Sequence, residues 1–213
     1  MNSEIFSSIF EKKNVKEIYE IIAPHFNVTR IYTWSWVDSF INNLPKGSFI
    51  YDIGCGNGRN MHFEQHTFIG IDNCEKFISM CREKNLLVQL ANMTKINLPD
   101  SSADAIICIA VFHHLSTYEN RIKALLEMKR LIKPKTGKIL LSVWSINQPL
   151  KTRITFNNYG HHMVNWNKKY KRYYYIFQIN EIISLFEKVG LKILKHKYDC
   201  GNEIFILYIE KKN

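Results

Sequence analysis

The chain has 213 residues, of which 46% are hydrophobic and 23% charged, a composition that excludes a disordered chain and predicts one domain over residues 1–213. No apolar run approaches the ~18 residues that a membrane-spanning helix needs. The net charge of +10 favours a polyanionic partner such as nucleic acid, although a solvated basic surface would give the same value. The five cysteines are scattered without a C-x-x-C pair, which argues against a disulfide framework or a zinc site and favours a cytoplasmic or nuclear location.

Residues 1–45 are predicted to form a helical region that caps a substrate or cofactor site. Beyond them, apolar runs alternate with helical patterns, which is typical of β/α units around a mostly parallel sheet. A polar stretch with no assigned element precedes the last helix, and the final two strands predict an antiparallel hairpin. The sequence therefore predicts an α/β fold with a seven-stranded, mostly parallel sheet and helices on both faces. The predicted elements are strand 48–53, helix 57–64, strand 67–71, helix 74–84, strands 86–90 and 103–110, helix 118–132, strand 138–144, helix 180–189 and strands 192–198 and 204–209.

A glycine-rich turn follows the first predicted strand. Its glycines stand at 54, 56 and 58, whereas a dinucleotide-binding fingerprint would place the third at 59, which is Arg59. Glycine permits positive φ and lets backbone amides approach a ligand, and a helix beginning at Asn57 would add free N–H groups suited to a carboxylate. Asp72, after the second strand, can accept hydrogen bonds from both hydroxyls of a ribose.

The G-x-G-x-G spacing, with Asp52 ahead of it, resembles motif I of class I S-adenosylmethionine-dependent methyltransferases. The resemblance implies S-adenosylmethionine as the cofactor, with its adenine held after the third strand and its methionine moiety beside the end of the fourth. Asn92 stands where Asp is more usual, and its carbonyl could still accept from the adenine amine. The implied cofactor-binding residues are Asp52, Gly54, Gly56, Asn57, Gly58, Asp72, Asn92, Met93, Ala110 and Val111.

Further blocks of the sequence resemble one family within this class: residues 18–30 with the tryptophans after them, 111–117, 143–144, 172–177 and 198–202. Together they resemble the eukaryotic tRNA wobble-uridine methyltransferases, which esterify 5-carboxymethyluridine at the first anticodon position. The same domain occurs in the animal AlkB-homologue tRNA enzyme. The resemblance implies tRNA as substrate and a small zinc-binding activator subunit as partner, docked near strand 86–90. The chain departs from the family at Asn147, where Glu is usual, and in the compact connection 148–165.

Methyl transfer to a carboxylate sets simple chemical requirements. The acceptor is already anionic at neutral pH and needs no general base, only placement in line with the methyl group at about 3 Å. Arg30 is the candidate to hold this carboxylate, because a guanidinium can bind it bidentately; the alternative is an ordinary helix-surface arginine. We expect His114 to lie over the methyl group and bind uridine or phosphate. His113 is expected to contact substrate or simply to pack.

Cations and aromatic residues interleave over 167–175, a pattern that suits phosphates and unstacked anticodon bases. We expect the cations to face outward and Tyr173 or Tyr174 to lie near the site, although one or two tyrosines could simply cover a sheet edge. Two other functions stay open: a small-molecule carboxyl or quinone methyltransferase, and a non-catalytic cofactor-binding tRNA scaffold. Besides Arg30 and His113, the expected tRNA contacts are Trp144, Lys168, Lys169, Lys171, Arg172, Tyr173 and Tyr174.

Overall fold

The structure is a computed structural model that describes residues 3–210; the ends of the predicted domain, residues 1–2 and 211–213, lie outside the described residues. The strands, in chain order, are β1 (Phe49–Ile53), β2 (Thr67–Asp72), β3 (Val88–Leu90), β4 (Ala105–Ile109), β5 (Lys138–Trp144), β6 (Gly160–Trp166), β7 (Tyr170–Ile176), β8 (Leu191–Asp199) and β9 (Asn202–Ile209). Seven of them form one sheet in the order β3-β2-β1-β4-β5-β9-β8, and β6 and β7 form a separate two-stranded sheet.

The first five strands of the large sheet pair in parallel, whereas β9 is antiparallel to both β5 and β8. β4 (Ala-Ile-Ile-Cys-Ile) is buried at every position, as expected for an apolar central strand covered on both faces. The predicted seven-stranded, mostly parallel sheet with a C-terminal hairpin is confirmed.

Helices lie on both faces of this sheet. The helices are α1 (Ser3–Glu11), α2 (Glu17–Thr29), α3 (Ser35–Asn42), α4 (Glu75–Glu83), α5 (Tyr118–Leu131) and α6 (Ile179–Lys188), with a π-helical turn, Lys12–Lys16, between α1 and α2. Apolar residues of α5 and α6 join one buried cluster, and those of α3 join a second cluster on the opposite face. The helices α1 and α2 lie instead over the carboxyl ends of the strands, where their residues line a cavity.

Two predictions about local structure are wrong. Residues 57–64 form turns instead of a helix, because the backbone takes left-handed φ values at Gly56 and Gly58 and leaves no continuous helical run. The polar stretch after β5 contains the β6–β7 hairpin. The aromatic run Tyr173–Tyr175 with Ile176 was a usable strand signal, because aromatic and β-branched residues are enriched in strands.

Two carboxylates hold the N-terminal helices over the strand ends. Glu11 accepts hydrogen bonds from the Ser116 backbone N–H (2.6 Å) and the Asn120 side chain (3.0 Å), beside the start of α5. Glu20 accepts from the backbone N–H groups of Glu75 (2.6 Å) and Lys76 (3.2 Å) in the first turn of α4. A carboxylate at a helix N-terminus is favourable because it satisfies unpaired donors and complements the helix dipole.

Candidate active site

A cavity of about 690 Å³ opens at the carboxyl ends of β1, β2 and β4, the usual position of a ligand site in such sheets. The glycine turn and loop residues form its floor, and residues of α1 and α2 line it from above. We call the part lined by Gly54, Gly56, Asp72, Met93 and Val111 the donor end. The part lined by Tyr19, Arg30, His114 and Arg172 is the acceptor end.

The glycine turn at the donor end is shaped by backbone hydrogen bonds. Gly54 has φ +76°, and a Cβ there would meet Val111 Cγ2 at 2.5 Å, so the position admits only glycine. The Gly56 N–H donates to Asp72 Oδ2 (2.9 Å), and the Cys74 N–H donates to Asp72 Oδ1 (2.9 Å). This carboxylate therefore ties the turn to the next β/α unit.

Burial raises the pKa of Asp72 to about 6, and the backbone N–H donors only partly offset that effect. The side chain lines the cavity where a ribose would be expected. The narrow cradle at Gly54 and this carboxylate fit a nucleoside-bearing cofactor such as S-adenosylmethionine. Residues 57–64 form no helix N-terminus to present free N–H groups, and the N–H groups of Gly54, Gly56 and Gly58 already donate within the protein.

The remaining residues expected to bind the cofactor divide into two groups. Asn57 lines the cavity, while its side-chain amide donates to Asn27 Oδ1 and to the Arg30 carbonyl, both at 3.1 Å. The cavity lining does not include Asp52 or Gly58. Asp52 lies fully buried with its pKa raised to about 7 by burial, and a Cβ at Gly58 would meet Leu86 Cδ1 at 2.4 Å. Asp52 and Gly58 therefore support the glycine turn from the side that faces away from the cavity.

The expected adenine and methionine neighbours all line the cavity. The Asn92 carbonyl accepts from the Thr94 N–H (3.0 Å) and hydroxyl (2.9 Å), so both of its lone pairs are used within its own turn. The expectation that this carbonyl accepts from adenine is therefore not supported by the geometry. Ala110 has φ +56°, an unusual conformation for a residue with a Cβ, held by hydrogen bonds from its N–H to Ser142.

A chain of hydrogen bonds crosses the acceptor end. Arg172 Nη1 donates to the Tyr19 hydroxyl (3.1 Å), which lies 2.9 Å from His114 Nε2. On the other side of the ring, His114 Nδ1 lies 2.6 Å from the Tyr173 carbonyl. Burial lowers the pKa of His114 to about 3, so the ring is neutral at physiological pH.

The expectation that Arg172 faces outward is wrong. Its side chain is buried, lines the cavity and lies over Trp166, with 4.6 Å from Cζ to the ring centroid. Side chains alternate along a strand, so Arg172 shares the face of Tyr174, which also lines the cavity. The alternation of side chains along the strand was therefore the signal that could have predicted an inward-facing Arg172.

The other expected tRNA contacts occupy different surroundings. Trp144 lines the cavity and stacks on Tyr174 at 4.5 Å. His113 is buried behind it and accepts from the Trp144 N–H (3.1 Å), while the hydroxyl of buried Tyr173 lies 2.9 Å from His161 Nδ1. The cavity lining includes neither His113 nor Tyr173. Three lysines are exposed at and beside the β6–β7 turn: Lys168, Lys169 and Lys171.

Arg30 lies at the rim of the cavity and is exposed. Its guanidinium is 5.1 Å from the ring centroid of Trp166, the ring that Arg172 also approaches. Although the residue as a whole is exposed, partial burial of its guanidinium and the neighbouring charge of Arg172 lower the pKa of Arg30. Two cations with one aromatic neighbour thus converge on the acceptor end.

Sequence reasoning did not single out Tyr19 and Trp166. Tyr19 is 95 positions from His114 and 153 from Arg172, and only the tertiary structure brings the three together. Within residues 3–210 there is no cluster of three side chains able to hold a metal ion. In the same part of the chain, the helices are too short or too polar to cross a membrane.

Comparison with known proteins agrees with this geometry. A family model described as "Methyltransferase domain" matches residues 51–141. The chain is 32% identical over 219 residues to the tRNA (carboxymethyluridine(34)-5-O)-methyltransferase of Schizosaccharomyces pombe, covering 91% of this chain and 95% of that protein. It is 42% identical over 139 residues to the Arabidopsis thaliana protein of the same name, covering 65% of this chain and 34% of that one.

The chain therefore spans about a third of the plant relative, although nearly the whole of the yeast one. Among solved structures, a methyltransferase in complex with the Haloferax volcanii Trm112 methyltransferase activator superimposes with a TM-score of 0.70 at 13% identity. That match covers 93% of this chain and 99% of the other. At such low identity, the likeness shows the fold.

Proposed function

The chain belongs to the family of tRNA (carboxymethyluridine(34)-5-O)-methyltransferases, and we propose that it methylates the carboxylate of 5-carboxymethyluridine at tRNA position 34. The observation that carries the proposal is the acceptor end. Arg30 and Arg172 converge there, and within residues 3–210 neither is ion-paired to a carboxylate. Unpaired guanidinium groups in a cavity suit an anionic acceptor.

The chemistry needs placement and no proton transfer. S-Adenosylmethionine, when bound, supplies an electrophilic methyl group on a sulfonium. Asp72 and the glycine turn would hold it, while Met93 and Val111 line the cavity beside them. The acceptor end would orient the carboxylate oxygen towards the methyl group, so that the oxygen's electron pair forms the new O–CH3 bond. The S–CH3 bond would break with its electron pair staying on sulfur, which leaves neutral S-adenosylhomocysteine and releases no proton. A neutral His114, with both nitrogens already engaged, is consistent with this scheme.

A labelling experiment tests the proposal. The chain is incubated with methyl-labelled S-adenosylmethionine and tRNA that carries unesterified 5-carboxymethyluridine. We expect alkali-labile label on the wobble nucleotide, because a methyl ester is hydrolysed by alkali. Label on a small metabolite instead would favour the small-molecule methyltransferase. Binding of both ligands without label would favour the scaffold.

We further propose that a small zinc-binding activator subunit docks on the β3 edge of the sheet and that the complex works in the cytoplasm. Leu87 and Leu90 are 61% and 45% exposed at this edge, and the Haloferax neighbour was solved in complex with the Trm112 methyltransferase activator. An exposed strand edge can accept another strand. Leu87→Arg should reduce co-purification with the subunit, whereas Leu194→Arg, an equally exposed leucine in β8 on the opposite edge, should not. Equal loss in both variants would contradict the docking site.

The exposed lysines of the β6–β7 hairpin are proposed to contact tRNA phosphates. Lys168, Lys169 and Lys171 are at and beside the hairpin turn, next to the rim that carries Arg30 and Trp166. Cationic side chains displace counterions from RNA and so supply affinity without sequence specificity. His113 and Tyr173 are buried outside the cavity lining, and we propose that they support Tyr174 and His114 without touching RNA.

A further inference from the structure

We infer that Arg172, and not the exposed Arg30, grips the acceptor carboxylate, with Tyr19 and His114 as positioning residues that orient it. The inference rests on the proposed function and names the group that recognises its substrate. It reverses the order expected from the sequence, in which Arg30 held the carboxylate and Arg172 faced solvent.

The first argument is the unsatisfied hydrogen-bonding capacity of a buried cation. Arg172 is only 5% exposed, yet its Nε has no hydrogen-bond partner among the residues that the structure describes. A buried donor without a partner is unfavourable, and a guanidinium carries five donors in a planar fork that matches a carboxylate. Nε itself is closed off from the cavity, but the side chain lines it, so the outer Nη donors of the fork are the ones that a carboxylate bound there can reach.

The second argument is that aromatic rings hold this guanidinium without neutralising its charge. Its Cζ lies 4.6 Å from the ring centroid of Trp166, 5.2 Å from Tyr174 and 5.6 Å from Tyr19. Cation–π contacts of this kind limit the orientations open to the fork. The positive charge stays available to a ligand.

The third argument is the direction of the hydrogen-bond chain. Arginine can only donate, so the Tyr19 oxygen accepts from Arg172 and its own proton is directed to His114 Nε2. The other ring nitrogen, Nδ1, then carries the proton and donates to the Tyr173 carbonyl. Both nitrogens of His114 are thereby used. The ring has no free position for substrate and instead fixes Tyr19, which fixes Arg172.

Arg30 shares the contact with the Trp166 ring but lacks the burial and the chain of hydrogen bonds. It is exposed, and the one hydrogen bond of its side chain in the described chain runs from Nη1 to the carbonyl of its neighbour Thr29, at 3.3 Å. An exposed cation at the rim suits the phosphates that flank a nucleotide better than a single carboxylate that must be aligned. The two arginines thus have separate roles, and a binding experiment can separate them.

The experiment compares two synthetic anticodon stem–loops, one with 5-carboxymethyluridine and one with the isosteric amide 5-carbamoylmethyluridine. Binding of each is measured with S-adenosylhomocysteine present, so that no turnover is needed. The wild-type chain should prefer the carboxylate by at least about tenfold, as expected for charge-assisted hydrogen bonds. Arg172→Gln should reduce this preference to less than about threefold. Arg30→Gln should weaken both RNAs equally and keep the ratio.

Further variants test the chain of hydrogen bonds that runs from Arg172 through Tyr19 to His114. Tyr19→Phe keeps the ring but removes the hydroxyl, so it should lower kcat and part of the carboxylate preference while leaving cofactor affinity unchanged. A merely structural role would weaken both RNAs and the cofactor together. Arg172→Lys keeps the charge without the fork and should retain only part of the preference.

The outcomes distinguish the two proposals. A preference that survives in Arg172→Gln and disappears in Arg30→Gln would overturn the inference and leave the proposed function standing. If Arg172→Gln does not fold, judged by its melting curve and cofactor binding, Arg172→Lys decides, and a wild-type ratio in that variant also overturns it. If the wild-type chain, assayed together with the proposed activator subunit, neither esterifies the tRNA nor prefers the carboxylate, the proposed function itself is refuted.

Discussion

The donor and acceptor ends of one cavity are built in different ways. The donor end depends mostly on backbone groups and one carboxylate between Gly54 and Asp72, and Met93 and Val111 complete its lining. The acceptor end is made of side chains separated by 95 and 153 positions along the chain. Cofactor binding is therefore a local property of the sequence, whereas substrate recognition depends on tertiary packing. Variants at the donor end should consequently change the affinity for the cofactor, and variants at the acceptor end should change the kinetic constants for tRNA.

The largest effect is expected at the donor end, from Gly54→Ala. The new Cβ would meet Val111 at 2.5 Å, and the resulting shift of the turn should weaken S-adenosylmethionine binding by about 100-fold, equivalent to ~3 kcal/mol. Calorimetric titration measures the loss. Gly47→Ala is the matched control, since Gly47 also has positive φ (+80°) but nothing within 4 Å of its Cβ position. Equal losses would show that the weaker binding comes from general destabilisation and not from the clash at the turn.

Arg30→Ala should have a smaller effect than Gly54→Ala, and it should act on tRNA instead of on the cofactor. Loss of a cation that contacts the RNA should lower kcat/KM for tRNA by about 30-fold, the equivalent of one charge-assisted hydrogen bond. Cofactor affinity should not change, because Arg30 lies at the rim of the acceptor end. Steady-state kinetics with varied tRNA and varied cofactor separates these constants. A parallel fall in cofactor affinity would remove the distinction between the two ends.

The pH dependence should also differ between the ends. Asp72, with a pKa of about 6, accepts from two ribose hydroxyls most strongly when ionised, so cofactor affinity should fall below that pH, by up to about tenfold per pH unit. At saturating cofactor, kcat should show no limb near pH 6.5, because His114 has a pKa of about 3 and stays neutral. Binding titrations and kcat profiles between pH 5 and 8 check both. A histidine-like limb in kcat would imply a proton transfer that the geometry does not provide.

The smallest effect is expected outside the cavity. Reversing Lys168, Lys169 and Lys171 to Glu should raise the KM for tRNA about fivefold at ~0.1 M salt, without changing kcat at saturation. The matched control reverses three other exposed lysines, Lys188, Lys195 and Lys197. A similar rise in both triple variants would mean that net charge alone governs tRNA binding.

The sheet and the donor end could be predicted from the sequence because their signals are local. Apolar runs, turn residues and the spacing of three glycines act over a few positions, and the seven strands were found from them. The helix expected at 57–64 failed for a local reason too, since the glycines that open space for a ligand also adopt φ values that interrupt a helix. Asn92 shows the limit of residue-type arguments. Its carbonyl has the right chemistry, but Thr94 uses it.

The acceptor end could be predicted only in part. Arg30 and His114 were identified by resemblance, but the partners that decide their roles, Tyr19 and Trp166, come from α2 and β6 and carry no local signal. The orientation of Arg172 was predictable in principle from strand alternation, once Tyr174 was expected near the site. It was missed because β7 itself was not assigned.

The β6–β7 hairpin has a consequence for protein engineering. It forms its own two-stranded sheet beside the main one and still supplies Trp166 and Arg172 to the cavity. A chimera that exchanges this hairpin together with α2 would replace most of the substrate-recognising groups and keep the seven paired strands. Libraries built in these two segments could therefore search for new methyl acceptors on an unchanged scaffold.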